Sequence, residues 1–159
     1  MLITIELDNE EISGVQRLAR WRSDPKVEKY GKHRNSTELK ASKEIEYRKN
    51  YIGLAGEFAA AQHFGAFFDP IPRMMGDGHQ PDLIWGEKAK IAVKTASYDP
   101  PIFKISGLHE IEYSTDLVLC HYKEPFVKIY WIKSKEEFLD KMYTRDFGRG
   151  IRLCLDHNA

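Results

Sequence analysis

Asp82, Lys94 and, further upstream, Glu57 are the side chains whose types and spacing could do chemistry together. A carboxylate can hold a hard cation, and an ammonium beside it can steady an anion or a polarised water. The stretch from Gly76 to Thr95, GDGHQPDLIWGEKAKIAVKT, has to position the first two. Asp82 to Trp85 is apolar with β-branched and aromatic character, Gly86 to Lys88 is turn-like, and Ala89 to Lys94 alternates, which predicts a β-hairpin. With the turn centred on Glu87, Asp82 falls opposite Ala92. The two-residue period of a strand then puts Ala92 and Lys94 on the face of Asp82, about 7 Å apart along their strand. Leu83, Trp85, Ile91 and Val93 take the other face and need a core. A charged pair inside a sheet is costly unless it is paired or bound to something. Its plainest explanation is a cross-strand ion pair at a strand edge, which contributes little and needs no function.

Glu57 lies in Tyr51 to Phe64, YIGLAGEFAAAQHF, a helical pattern ending before Gly65. Its neighbours three and four residues away are Gly53, Leu54, Ala60 and Ala61, so the acid sits on a stripe of small residues that permits close packing. This GxxGE-type helix, then Pro81-Asp82, a spacer, and a strand ending Val93-Lys94-Thr95, resembles the core of the PD-(D/E)XK phosphodiesterase superfamily across roughly residues 50 to 132. The resemblance implies an α/β fold with a central mixed sheet flanked by helices, restriction-endonuclease-like. It also implies a nuclease that hydrolyses phosphodiester bonds of nucleic acid, DNA ahead of RNA. Mg²⁺ or Mn²⁺ would be held by Asp82, the Val93 backbone carbonyl and, through water, Glu57. Lys94 would orient the attacking water or stabilise charge on the phosphorane. Thr95 and Ser97, just past the lysine, are the polar residues such nucleases often use, with Asp77, His79 and Lys104 as further candidates near the site.

The sequence departs from the superfamily at Ala92. The residue two before the lysine is there an acid that binds the metal, and alanine binds nothing. Two explanations stand: a degenerate or rearranged member of the family, or a deliberate acid-to-alanine change that inactivates this chain. Both imply weak metal binding and low or absent cleavage while substrate binding persists.

The 159 residues suit one domain with a core of its own. They divide into an N-terminal strand, helix and basic arm (1–49), the nuclease-like core (50–132) and a C-terminal helix and strand (133–159). No run has the length of a membrane span, and the opening MLITIELDNEE lacks the pattern of a signal peptide, so a soluble cytoplasmic protein is expected. Cys120 and Cys154 lie in apolar strand-like runs and are expected as buried free thiols. Net charge is zero, which by itself argues against a nucleic-acid partner. The distribution is less neutral: residues 17–49 hold eleven Lys or Arg against five acids. That segment is either a solvated helical surface or a phosphate-contacting arm.

Along the chain, residues 1–7 alternate as a strand and Asp8 to Trp21 as an amphipathic helix. A loop of about fifteen residues follows, in which Arg22, Lys26, Lys29, Tyr30, Lys32, His33 and Arg34 could grip a nucleic-acid backbone. A second helix begins at Ser36 or Ser42. A short strand is expected at Phe67, and others at 102–105, 117–122, 127–132 and 151–155. Ser134 and Glu137 predict a capping box for a helix that buries Phe138, Leu139 and Met142. The segment 145–149 reads as a loop. Two rivals to the nuclease remain: an inactive module of the same fold that binds nucleic acid or protein, and a domain in which Asp82 and Lys94 merely pair. The oligomeric state is open between monomer and homodimer.

Overall fold

The computed structural model describes residues 2–30, 36–68, 81–86 and 89–159, and for 24–30, 36–41, 67 and 85 the backbone alone. Strand β1 (Ile3–Glu6) alternates half-buried and exposed residues and lays Ile3 and Ile5 on the core. Asp8 then caps helix α1 (Asn9–Tyr30): Glu11 N–H donates to its carboxylate at 2.8 Å, and Asp8 N–H donates back to the Glu11 carboxylate at 3.0 Å. Val15, Ala19 and Ser23 are buried along this helix.

Helix α1 does not stop at Trp21, so part of the expected loop is helical through Pro25 to Tyr30. A proline inside a helix removes one backbone bond. Here the turn before it is pinned by Ser23, whose hydroxyl donates to the Ala19 carbonyl at 2.6 Å and accepts from Asn50 of the next helix at 3.1 Å. Lys and Glu, frequent in this stretch, are also good helix formers.

Helix α2 (Ser36–Phe64) packs along α1. Leu54, Ala55, Ala59 and Ala60 are buried, and the alanines let helix and sheet approach closely. It ends in a Schellman arrangement: Gly65 takes a positive φ of 63°, and Ala66 N–H reaches the Ala61 carbonyl at 2.9 Å.

Six strands make the main sheet in the order β1-β7-β6-β4-β3-β2, with β2 (Phe67–Phe68), β3 (Leu83–Trp85), β4 (Ala89–Ala96), β6 (Asp116–Lys123) and β7 (Phe126–Ser134). The sheet is mixed, since β4 and β6 run parallel and the other pairs antiparallel. The crossover between β4 and β6 contains β5 (Ile102–Ile105) and a 3₁₀ turn (Leu108–Ile111). One face of the sheet, with Leu83, Ile91, Val93, Val118 and Cys120, packs on α1 and α2. The other, with Ala92, Leu117, Leu119 and Trp131, packs on Phe103, Ile105 and Phe138.

That second face is covered by a three-stranded sheet, β5-β9-β8, rather than by helices alone. Strand β9 (Ile151–Asp156) was expected; β8 (Tyr143–Asp146) occupies part of the expected loop. Helix α3 (Lys135–Lys141) has the expected capping box on Ser134 and Glu137 and buries Phe138, but Leu139 faces outward. Its seven residues present a single inward position, which Phe138 takes between its own turn and Phe103, 5.3 Å away ring to ring. Both cysteines are buried and free, as their apolar surroundings predicted. Among the described residues no helix is long and apolar enough to cross a membrane.

Candidate active site

The β3–β4 hairpin forms in the predicted register. Leu83 pairs with Ile91, Ile84 with Lys90 and Trp85 with Ala89, so Asp82 stands one step beyond the ladder, opposite Ala92. Past that end the Val93 N–H has no strand partner on this side, and the Asp82 carboxylate takes it at 2.6 Å. Leu83, Ile91 and Val93 bury on the helix face as the alternation requires. Ala92 and Lys94 point the other way. Ala92 is 5% exposed and belongs to the second core, whereas Lys94 reaches past that core to the 3₁₀ turn.

Lys94 is paired with Glu110 of the 3₁₀ turn, Nζ to Oε1 at 3.0 Å, where a cross-strand pair would have used Asp82. Burial alone would raise the Glu110 carboxyl. Hydrogen bonds from the Ser106 hydroxyl and N–H, together with the Lys94 charge and its hydrogen bond, outweigh it and pull the group down to about 2. Glu110 was missed from sequence because it lies sixteen residues from Lys94, inside a crossover that only the folded sheet closes.

Glu57 is brought toward the same strand by one close approach. A Cβ built on Gly56 would stand 1.8 Å from Thr95 Oγ1, so α2 touches β4 at Thr95 and only glycine fits. Thr95 Oγ1 is buried there without a hydrogen-bond partner. The carboxylate of Glu57 lies 3.6 Å from Arg22 of α1. Arg22 therefore braces two helices, and it lies in helix α1 where a loop was expected.

Beyond Lys94 the strand opens into a cleft of about 470 Å³ lined by Lys49, Ile52, Lys94, Thr95, Ser97, Tyr98 and Lys104. Through Lys49, Ile52 and Ser97 it continues into a second cleft of about 460 Å³ beside Arg48. Three sequence candidates, Thr95, Ser97 and Lys104, thus share one groove with Lys94, and Lys49 joins them unforeseen. Neither Lys49 nor Lys104 has a carboxylate within ion-pair distance among the described residues. A further cleft of about 560 Å³, lined by Ser13, Gln16, Arg17, Arg20 and Tyr47 between the two long helices, holds none of the sequence candidates.

Carboxylate and carbonyl oxygens are the donors that Mg²⁺ and Mn²⁺ prefer. The donors present do not add up to such a site. Ala92 contributes nothing, Glu57 faces Arg22, and no group of three or more His, Cys, Asp or Glu gathers among the described residues. Asp77, His79, Lys32, His33 and Arg34, and the side chains of Lys26, Lys29 and Tyr30, lie outside the described residues. Comparison of the chain with protein-family models, curated proteins and solved structures gives no match in any of the three.

Proposed function

We propose that the chain is a nuclease of the PD-(D/E)XK kind on a restriction-endonuclease-like fold, acting on phosphodiester bonds of nucleic acid, DNA in preference to RNA. As it stands, Ala92 makes it a binder with little or no cleavage. The observation that carries this reading is the hairpin and what adjoins it: Asp82 opposite position 92, Lys94 one alternation on, and a groove with Lys49 and Lys104 at the end of the same strand. Cations without carboxylate partners along a groove suit a phosphate backbone, and the hydroxyl of Ser97 suits its non-bridging oxygens. Mg²⁺ or Mn²⁺ would supply Lewis-acid chemistry only in a completed site, and an acid at position 92 is what this chain's donor set lacks. Of this chain's own residues, Asp82 fixes the hairpin end, Lys49 and Lys104 hold phosphate, and Lys94 stands ready to neutralise charge once Glu110 releases it.

One observation favours an inactive binding module instead. Ala92 packs among Leu117, Leu119 and Phe103, where a carboxylate would be desolvated. Mn²⁺-dependent cleavage of duplex, single-stranded and branched DNA, compared between this chain and its Ala92→Asp and Ala92→Glu variants, separates the two. Cleavage by either variant supports the nuclease. Silence from both with DNA still bound establishes the module, and no DNA binding at low salt removes both readings.

A further inference from the structure

Lys104, at the rim of the groove, also touches a part of the molecule that the hairpin chemistry does not use. Its Nζ lies 4.9 Å from the centroid of the Tyr98 ring and 4.7 Å from that of Phe147. Phe147 sits at the turn between β8 and β9, and the guanidinium of Arg145 lies 4.7 Å from the same ring. Two cations are therefore gathered around one phenyl group. Neither has a carboxylate partner among the described residues, and the same holds for Arg149 and Arg152 on this hairpin. The one acid of the turn, Asp146, accepts the Gly148 N–H at 2.7 Å and makes no ion pair with these cations among the described residues. Gly148 and Gly150 have φ of 89° and 98°, so this tip is shaped by two residues in the left-handed region.

Cations gathered without an ion-pair partner fall in energy when an anion reaches them. Rings left 43% exposed at Tyr98 and 38% at Phe147 are apolar area awaiting a flat partner. Cations alternating with open aromatic rings suit a strand whose phosphates lie on the charges and whose bases stack on the rings. A duplex offers the phosphates but keeps its base faces stacked inside.

We infer that the β8–β9 turn, with Tyr98 and Lys104, is a stacking surface for unpaired nucleotides that continues the phosphate groove, so that the substrate carries a single-stranded segment. This rests on the nucleic-acid reading above and narrows it. The test is binding of a labelled single-stranded oligonucleotide and of the duplex of the same sequence, at low salt, by the full chain and by Phe147→Ala, Phe147→Trp and Tyr98→Ala. The single strand is expected to bind more tightly than the duplex. Each alanine variant should weaken the single strand by about 5- to 150-fold, the range of one lost stack, and Phe147→Ala, outside the groove lining, should hold duplex binding within about twofold. Phe147→Trp keeps an aromatic face and should bind as the parent does; thermal melting confirms that each variant is folded. Equal losses on both ligands, or no loss, would overturn the stacking surface while leaving the groove intact. Failure of the parent to bind either ligand would remove the groove reading as well.

Discussion

The pair Lys94–Glu110 decides how Lys94 is available for chemistry, and it has a signature in acid. Glu110 titrates near 2 in the folded chain against an ordinary 4.5. A group with a depressed folded value stabilises the fold above its unfolded value and loses that contribution as pH falls through the folded one. The window here runs from about pH 5 down to about pH 2. The shift would correspond to roughly 3 kcal/mol. Because the Lys94 side chain is 39% exposed, solvent screening reduces the expectation to about 1–2 kcal/mol. Glu110→Gln should therefore lower stability at pH 7 by that amount and flatten the acid limb. Urea unfolding at pH 7 and pH 3 measures both; an unchanged limb would mean that the pair contributes nothing. At this scale the sequence was half legible. Asp82, position 92 and Lys94 follow from a local hairpin whose register needs only strand period and turn centre. Their partners, Val93 N–H and Glu110, depend on where a ladder ends and where a crossover returns, which no local pattern states.

Helix α2 and strand β4 meet where Gly56 faces Thr95, and this contact sets how near Glu57 comes to the hairpin. Gly56→Ala would gain about 1 kcal/mol of helix propensity. The new Cβ would meet Thr95 Oγ1 at 1.8 Å and its Cβ at 2.9 Å, and both belong to a β-branched side chain that cannot swing away. Overpacking of this kind costs about 1–3 kcal/mol or more, so the clash wins and the melting temperature should fall. Thr95→Ala in the same chain should recover part of the loss; a variant as stable as the parent would show that the helix can slide. The helix itself was readable from its small-residue stripe and its terminal Gly65. The continuation of α1 past Trp21 was not, because Pro25 and Gly31 read as breakers while the Ser23–Asn50 contact that steadies the helix joins residues far apart in sequence.

For the molecule as a whole, a net charge of zero conceals a segregated surface: Lys49, Lys94 and Lys104 come from three different elements to line one groove. Strand β1 covers one edge of the nine-residue strand β7. Removing residues 2–6 should bare that edge, and self-association, read by light scattering, should follow. A chain that stays monomeric and folded would show the edge to be guarded otherwise. The α/β class was legible from the order of elements, but the division into two sheets was not. Strand β8 is short, largely exposed and polar, and it exists because β9 offers it an edge. The pairing of Ile3 with Ile129 also has a temporal side. A ribosome makes β1 first and β7 more than a hundred residues later, so a nascent chain can close its β3–β4 hairpin from neighbours alone, while its opening strand waits for the sheet edge it will cover.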